Sequence, residues 1–316
     1  MNAYRYRLDK SSKKYKCPQC NKNTLVRFID IDNNHSQDNA GRCDRESKCG
    51  YFSNPSGNTV ISTNINPIEY IEPSYHDMSL VIDSRKGIED NDFIQYLKHN
   101  FGSEATKAAV KEYFIGDSNL FNGSTIFWQL DANSNVRHGK IMKYNKFTGK
   151  RVKNEEGKAL ISSVRSSLKL DNHNLKQTLF GRHLAAETSN NIPIGVVESE
   201  KTAIIMSIVK PSVVWMATGS LGGVKYDYFK GLHNRDITLY PDKGCYTQWH
   251  DKASVLNSRY GFNIIVDDAL EYSNLKEGKD IADVFLYDNI EVPNTMMSQV
   301  SQVGQRASIP CYDRVA

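Results

Sequence analysis

The chain has 316 residues, 39% of them hydrophobic and 24% charged, with a formal net charge of +4, a balance that suits a soluble protein of two or three domains. No apolar run approaches the roughly 20 residues that a bilayer span requires. The basic N-terminal stretch (Arg5, Arg7, Lys10, Lys13, Lys14, Lys16) has no apolar core behind it, which excludes a signal peptide, so a cytoplasmic location is expected.

In chain order, residues 1–56 are polar and punctuated by cysteine. Four of the six cysteines fall here. Clustered cysteines in a cytosolic chain point to metal rather than disulfides. Cys17-Pro18-Gln19-Cys20 places two thiolates on one tight turn, and Cys43 and Cys49 offer a second pair followed by Gly50. Two ligands from each of two loops make a tetrahedral Zn²⁺ site. The second pair is more widely spaced than usual, which leaves His35 as an alternative to Cys43. No thioredoxin-like βαβ pattern surrounds the CxxC pair, so redox work is disfavoured. Residues 24–31 read as a ribbon strand, and Arg42, Arg45 and Lys48 place positive charge near the second ligand loop, where nucleic acid could be met. So small a segment needs its metal to fold. Cys245 and Cys311 are isolated and read as incidental thiols.

Residues 57–90 read as a linker on their Asn, Ser, Thr and Pro content. From Asn91 to Glu112 apolar residues recur at helical spacing (Phe93, Tyr96, Leu97, Ala105, Ala108, Ala109). Residues 124–130 (STIFWQL) then read as a strand, 131–135 as a turn and 136–144 as a second strand, forming a hairpin or meander. Between Arg137 and Lys169 the basic residues include Lys140, Lys143, Lys146, Lys150, Arg151, Lys153 and Lys158, against Glu155 and Glu156 as the only acids. Residues 91–178 are therefore expected to form a basic, mixed subdomain that grips phosphates.

From 179 to 290 strands alternate with helices: strands near 194–198, 213–218, 236–240 and 262–266, and helices near 201–209 and 249–260. This alternation implies a parallel sheet with both faces covered. Residues 291–316 lack apolar periodicity and read as a disordered tail. Glu198 sits where the first of these strands gives way to its helix, and Asp242 follows the third strand and Pro241. Asp280 and Asp283 lie in GKDIAD. Ligands of parallel sheets bind at the carboxyl ends of the strands, and carboxylates converging there suit Mg²⁺. Glu200 is expected to serve only the helix dipole. The loop 219–223 (GSLGG) could let backbone approach a phosphate.

These pieces in this order resemble the bacterial-type, DnaG-like DNA primases, including those fused to helicases in phages. The resemblance runs over residues 16–286 and rests on the CPxC ribbon, the stretch 123–144 (GSTIFWQLDANSNVRHGKIMKY) and the lead-in Leu179-Phe180-Gly181-Arg182 with Ala185. It rests also on 196–203 (VVESEKTA), which is similar to the glutamate motif of TOPRIM domains, and on Tyr240-Pro241-Asp242-Lys243-Gly244 with the later Gly278-Lys279-Asp280. It implies an α/β fold: a small zinc ribbon, then a primase-type core with a mixed N-terminal subdomain and a TOPRIM parallel-sheet domain. It implies short RNA primers made from ribonucleoside triphosphates on single-stranded DNA, with structural Zn²⁺ and catalytic Mg²⁺ or Mn²⁺. Glu198 would be a general base or metal-organising acid, Asp242 a metal ligand, Asp280 a supporting acid and Asp283 a further magnesium ligand. Lys140, Lys143, Arg151, Lys153, Lys201, Arg42 and Arg45 would meet template or nucleotide.

Ser199 and Thr202 depart from the TOPRIM pattern, and Gly244 stands where a second aspartate would be. The alternatives are therefore a degenerate DNA-binding accessory protein of replication or mobilisation and a small TOPRIM nuclease. No GxxxxGK[ST] motif is present, so a replicative helicase would be a separate partner. By analogy such a chain suits a plasmid, phage or mobile element.

Overall fold

The structure, a computed structural model, describes residues 6–11, 13–30, 32–36, 39–45, 49–55 and 72–286. The expected tail from 291, linker residues 57–71, Lys48 and Cys311 lie outside the described residues. Two compact units are present, Met1–Ile71 and Glu72–Ala316.

In the first unit, short antiparallel strands β1 (Arg7–Leu8), β2 (Tyr15–Lys16), β3 (Asn23–Ile29), β4 (Gly41–Cys43) and β5 (Phe52–Ser53) form one sheet. Its order is β1-β3-β4-β5, with β2 also on β3. Its core is small: Leu25, Cys17 and Cys43 cluster, packed on by Tyr15, Tyr51, Cys20 and Cys49, and Val26, Ile29 and Ala40 are also buried. So little apolar material cannot offset chain entropy without a metal.

The second unit begins earlier than the linker reading placed it. Residues Met78–Asp83 form helix α1, capped by the Asp77 carboxylate accepting from Ser79 N–H at 2.7 Å. Val81 of α1 is fully buried among Trp128, Ile141 and Val164. The six residues (MSLVID) span fewer than two turns, too short for a helical period to show in the sequence. The next helix divides into α2 (Asp92–Phe101) and α3 (Ser103–Glu112) at Gly102, whose backbone (φ 80°, ψ 165°) breaks the helix there. Asn91 is wholly buried at the start of α2. Its Oδ1 accepts from Phe93 and Ile94 N–H and from the Thr125 hydroxyl, and its Nδ2 donates to Asp117 and to the Ser124 carbonyl. One side chain thus caps the helix and ties it to the sheet.

That sheet is an antiparallel meander, β6 (Gly116–Ser118), β7 (Ser124–Leu130), β8 (Val136–Met142) and β9 (Ile161–Ser163), in sequence order, followed by α4 (Val164–Ser167). Every residue of β7 is buried. Ile126, Trp128 and Leu130 face the α1–α4 cluster, while Phe127 joins the large core on the other face.

Beyond it run α5 (Arg182–Glu187), β10 (Ile194–Val197), α6 (Glu200–Val209), β11 (Val214–Ala217), α7 (Tyr226–Phe229), β12 (Ile237–Leu239), α8 (Tyr246–Tyr260), β13 (Ile264–Val266) and α9 (Ile281–Leu286). The four strands are parallel in the order β11-β10-β12-β13. Chain order reverses between β10 and β12, so a crevice opens outside their carboxyl ends. The protein is thus an α/β chain with a small ribbon unit and a core of two sheets. Among the described residues no helix is long and apolar enough to cross a membrane.

If α1 belongs to the core, Val81→Ala should lower stability by about 1.5–3 kcal/mol. Ile82→Ala, at a side chain 59% exposed, should change it by no more than about 0.5 kcal/mol. Urea denaturation of the two variants reads the difference.

Candidate functional site

The ribbon brings its four thiols together. Cys17, Cys20, Cys43 and Cys49 present sulfurs that all lie within 4.8 Å of one another, with Cys17–Cys49 at 3.6 Å and Cys20–Cys43 at 3.9 Å. A regular tetrahedron with Zn–S bonds of about 2.3 Å has an edge of about 3.8 Å, so the set has the dimensions of a zinc centre. The Arg45 backbone N–H donates to Cys43 Sγ at 3.4 Å, which orients that sulfur. Cys43, not His35, completes the set. His35 instead bonds the Tyr15 hydroxyl at 2.8 Å and lies 3.7 Å from Asp9. The wide Cys43–Cys49 spacing is absorbed by a turn in which Cys49 N–H donates to the Arg45 carbonyl at 2.7 Å.

In the core, Glu198 immediately follows β10, and Asp242 follows β12 after Tyr240 and Pro241. Both therefore stand at the carboxyl ends of neighbouring parallel strands, one on each side of the switch point. The strands are locked in register by Ile194↔Ile237 and Val196↔Leu239. Burial pushes Asp242 up to about 8, with the Asp280 and Glu198 carboxylates adding to the effect and Arg151 opposing it. Glu198 is raised by burial and lowered by the positive charges of Arg151 and Lys140. Asp242 Oδ1 is buried without a hydrogen-bond partner. Two carboxylates driven toward protonation by burial and by neighbouring acids, Glu200 at Glu198 and Asp280 at Asp242, with one oxygen left orphaned, fit a hard divalent cation such as Mg²⁺ or Mn²⁺.

Asp280 and Asp283 do different work. Asp280 Oδ1 accepts from Ala282 and Asp283 N–H at the start of α9, and Asp283 Oδ2 accepts in return from Asp280 N–H at 3.0 Å. This is a reciprocal capping box. Asp280 Oδ2 takes the Thr202 hydroxyl at 2.6 Å, and Asp283 Oδ1 pairs with Lys279 at 3.3 Å. Both are thus bound locally, and Asp280 reaches the site through its field on Asp242.

The structure reassigns the basic residues. Lys140 does not line an open groove: its Nζ is 2.8 and 3.1 Å from the Glu200 carboxylate oxygens and 3.4 Å from the Gly219 carbonyl. Glu200, read from sequence as a helix-dipole acid, is almost fully buried as its partner. No sequence signal distinguishes it, because its partner lies 60 residues away. Lys143 is held by Asp92 and by the Asn122 carbonyl, on the wall of an open cleft. Arg151 and Lys153 remain exposed, as does Arg42 on β4, while Lys201 acts on Asp280. The loop 219–223 folds into a short 3-10 turn, Leu221–Gly223, whose Leu221 carbonyl accepts from Lys252 at 2.8 Å.

Gly244 is shaped by two acids that sequence reading did not connect to it. Its φ is +88°, and a Cβ there would come 2.0 Å from Glu277 Oε2. Its N–H, with that of Tyr246, donates to Glu271 Oε1 at 2.8 and 3.1 Å. The Cys245 thiol beside it is pushed up to about 11 by burial and by Asp242, Glu198, Glu271 and Glu277.

Two outcomes are expected. Cys43→Ser should abolish stoichiometric zinc, measured by metal release to a chromogenic chelator, whereas His35→Ala should retain it. Asp242 ordinarily ionises near 3.8 but at about 8 in the fold, so the folded chain holds a proton that the unfolded chain has released. Its contribution to stability therefore falls as pH rises through that window. The melting temperature of the chain without divalent cation should decline across it, Asp242→Asn should flatten the decline, and Mg²⁺ or Mn²⁺ should stabilise most at the upper end.

Comparison with known proteins yields two family matches. The model of a zinc beta-ribbon finger matches residues 4–64, and that of a domain of unknown function, DUF6371, matches residues 91–243. No curated protein matches the chain. Among solved structures, the chain is similar to the RNA polymerase domain of Mycobacterium tuberculosis primase DnaG (10% identity, 71% of this chain and 81% of that chain, TM-score 0.45). It is similar also to a DnaG primase catalytic domain bound to ssDNA (13% identity, 71% and 78%, TM-score 0.46). A third is the primase fragment of the bacteriophage T7 primase-helicase protein (14% identity, 91% and 98%, TM-score 0.40).

Proposed function

We propose that this chain is a primase-like nucleotidyltransferase with a TOPRIM-type core, making short RNA primers on single-stranded DNA. The observation that carries this reading is the pairing of Glu198 and Asp242 across the switch point of a parallel sheet, with the exposed Arg151 acting electrostatically on both. The motif order that resembles primases supports it.

A Mg²⁺ or Mn²⁺ ion held by Asp242, with Glu198 at its side, would neutralise charge on the reacting phosphate oxygens. Arg151 and Lys201 would hold the triphosphate of the incoming ribonucleotide. Glu198, its proton affinity raised by burial, would take the proton of the primer 3′-hydroxyl as that oxygen attacks the α-phosphorus. The new P–O bond forms as the bond from the α-phosphorus to the bridging oxygen breaks, and pyrophosphate leaves. Asp280 would act through Asp242, its negative charge favouring cation binding there. The ribbon, with Arg42 exposed on β4, would meet the template, and a replicative helicase would be a separate partner.

Gly244 favours a second reading. The place of a further carboxylate is a left-handed backbone position, φ +88°, which disfavours any side chain, and this suits a core that binds DNA without chemistry. Primer synthesis separates the two. With single-stranded DNA, labelled ribonucleotides and Mg²⁺ or Mn²⁺, wild type should yield short products. Glu198→Gln should lose them by at least about 100-fold, the scale of a general base, while still binding DNA. Absence of products from wild type under either metal, with DNA binding intact, would favour the accessory reading. Cleavage of DNA without nucleotides would indicate a nuclease.

A further inference from the structure

Among the described residues, the most exposed large hydrophobic side chain lies just beyond β8. Phe147 is 76% exposed at the tip of a tight hairpin that follows β8. The hairpin is closed by Asn145 N–H to the Lys150 carbonyl and Val152 N–H to the Lys143 carbonyl, at 2.9 and 3.0 Å. Asn145 Oδ1 accepts from Phe147 and Thr148 N–H, each at 2.9 Å, which fixes the turn. Gly149 lies against the face of Tyr96, so closely that a Cβ would come 2.5 Å from the ring. The hairpin is therefore pinned to α2, and Phe147 is held outward on a rigid support. An exposed phenylalanine on a loop free to collapse would bury itself; this one cannot.

Phe147 forms one wall of two adjoining clefts of about 390 and about 610 Å³, which also share Asp90, Asp92 and Lys146. These volumes fall in the range of about 300–1,000 Å³ typical of small-ligand sites. The charges are mixed. Lys146 lies 5.3 Å from the Phe147 ring centroid, Lys143 is tied to Asp92, and His99 lines the smaller cleft. A phosphate would be repelled by Asp90 and Asp92. An uncharged planar base can stack on Phe147 and donate its amino hydrogens to a carboxylate. The phosphates on either side of such a base would meet the exposed Lys146, Lys150, Arg151 and Lys153.

We propose that this cleft is a base-stacking site for single-stranded DNA, with Phe147 as the platform. The proposal rests on the reading of the core as one that engages single-stranded DNA. It adds a contact that neither the carboxylate site nor the ribbon provides.

Phe147→Ala and Phe147→Trp test it in the full zinc-loaded chain, since an exposed side chain can be exchanged without loss of folding. The probe is a labelled single strand roughly 12 nucleotides long, followed by fluorescence anisotropy. Phe147→Ala should weaken binding about 5- to 150-fold and leave the salt dependence unchanged, because no phosphate contact is lost. Phe147→Trp should bind like wild type, with its emission quenched on binding. The three native tryptophans are buried, so that signal would come from position 147. Unaltered affinity in Phe147→Ala, or emission that does not respond while the strand is bound, would overturn the stacking site and leave the primase reading intact, since primer synthesis judges that separately. A wild-type chain that binds no single strand would overturn both.

Discussion

The arrangement of the core depends on one buried ion pair. Lys140 comes from the middle of the meander, and Glu200 from the first turn of the helix that leaves β10. Their side chains are 20% and 2% exposed, so each charge is costly to bury alone. Loss of one partner from such a pair typically costs about 3–5 kcal/mol. Because Glu200 is two residues from Glu198, the pair also sets where the candidate base sits relative to the meander. The Gly219 carbonyl, next in reach of Lys140 at 3.4 Å, brings the loop after β11 to the same point. Two sheets and a loop are thus registered by three acceptors around one ammonium group.

Around that pair the apolar core is continuous. Phe127 and Tyr144 from the meander side, Phe93 from α2 and Phe180 ahead of the parallel sheet stack edge-to-face or tilted within about 6 Å of one another. Tyr113 closes the contact by donating its hydroxyl to the Trp215 carbonyl at 2.8 Å. The exposed part of the basic segment is consequently pushed outward into the hairpin beyond β8. There it flanks the carboxylates through Arg151 and the stacking cleft through Lys146. Within β8 itself only Arg137 and Lys140 are partly exposed, and each is paired, with Asp131 and Glu200.

The acidic face shows how one charge arrangement serves both structure and chemistry. Asp280 and Asp283 cap α9 for each other, and that same cap places negative charge beside Asp242. Glu271 caps the start of α8, and the Glu277 carboxylate lies beside Gly244. Carboxylates massed at helix starts are stabilised by the helix dipole. The repulsion of Asp280 and Asp283 falls on Asp242, the acid that the end of β12 holds in place.

The sequence alone determined the larger part of the fold. Alternating β-branched strands and apolar helices marked β7, β10, β11 and β12 to within a residue or two, because local period and turn chemistry are strong there. The CxxC pair and its distant partners marked the thiol cluster, and the strand-end positions marked Glu198 and Asp242, since both follow from topology. The tertiary structure decided what depends on partners distant in sequence. It decided that Cys43 and not His35 joins the thiols, that α1 belongs to the core, and that Lys140 spends its charge on Glu200. It decided also that the Gly244 N–H is taken by Glu271. An acid read along the chain looks the same whether it faces water, caps a helix or holds an ion. Only the side chains that folding brings beside it set its charge and its task.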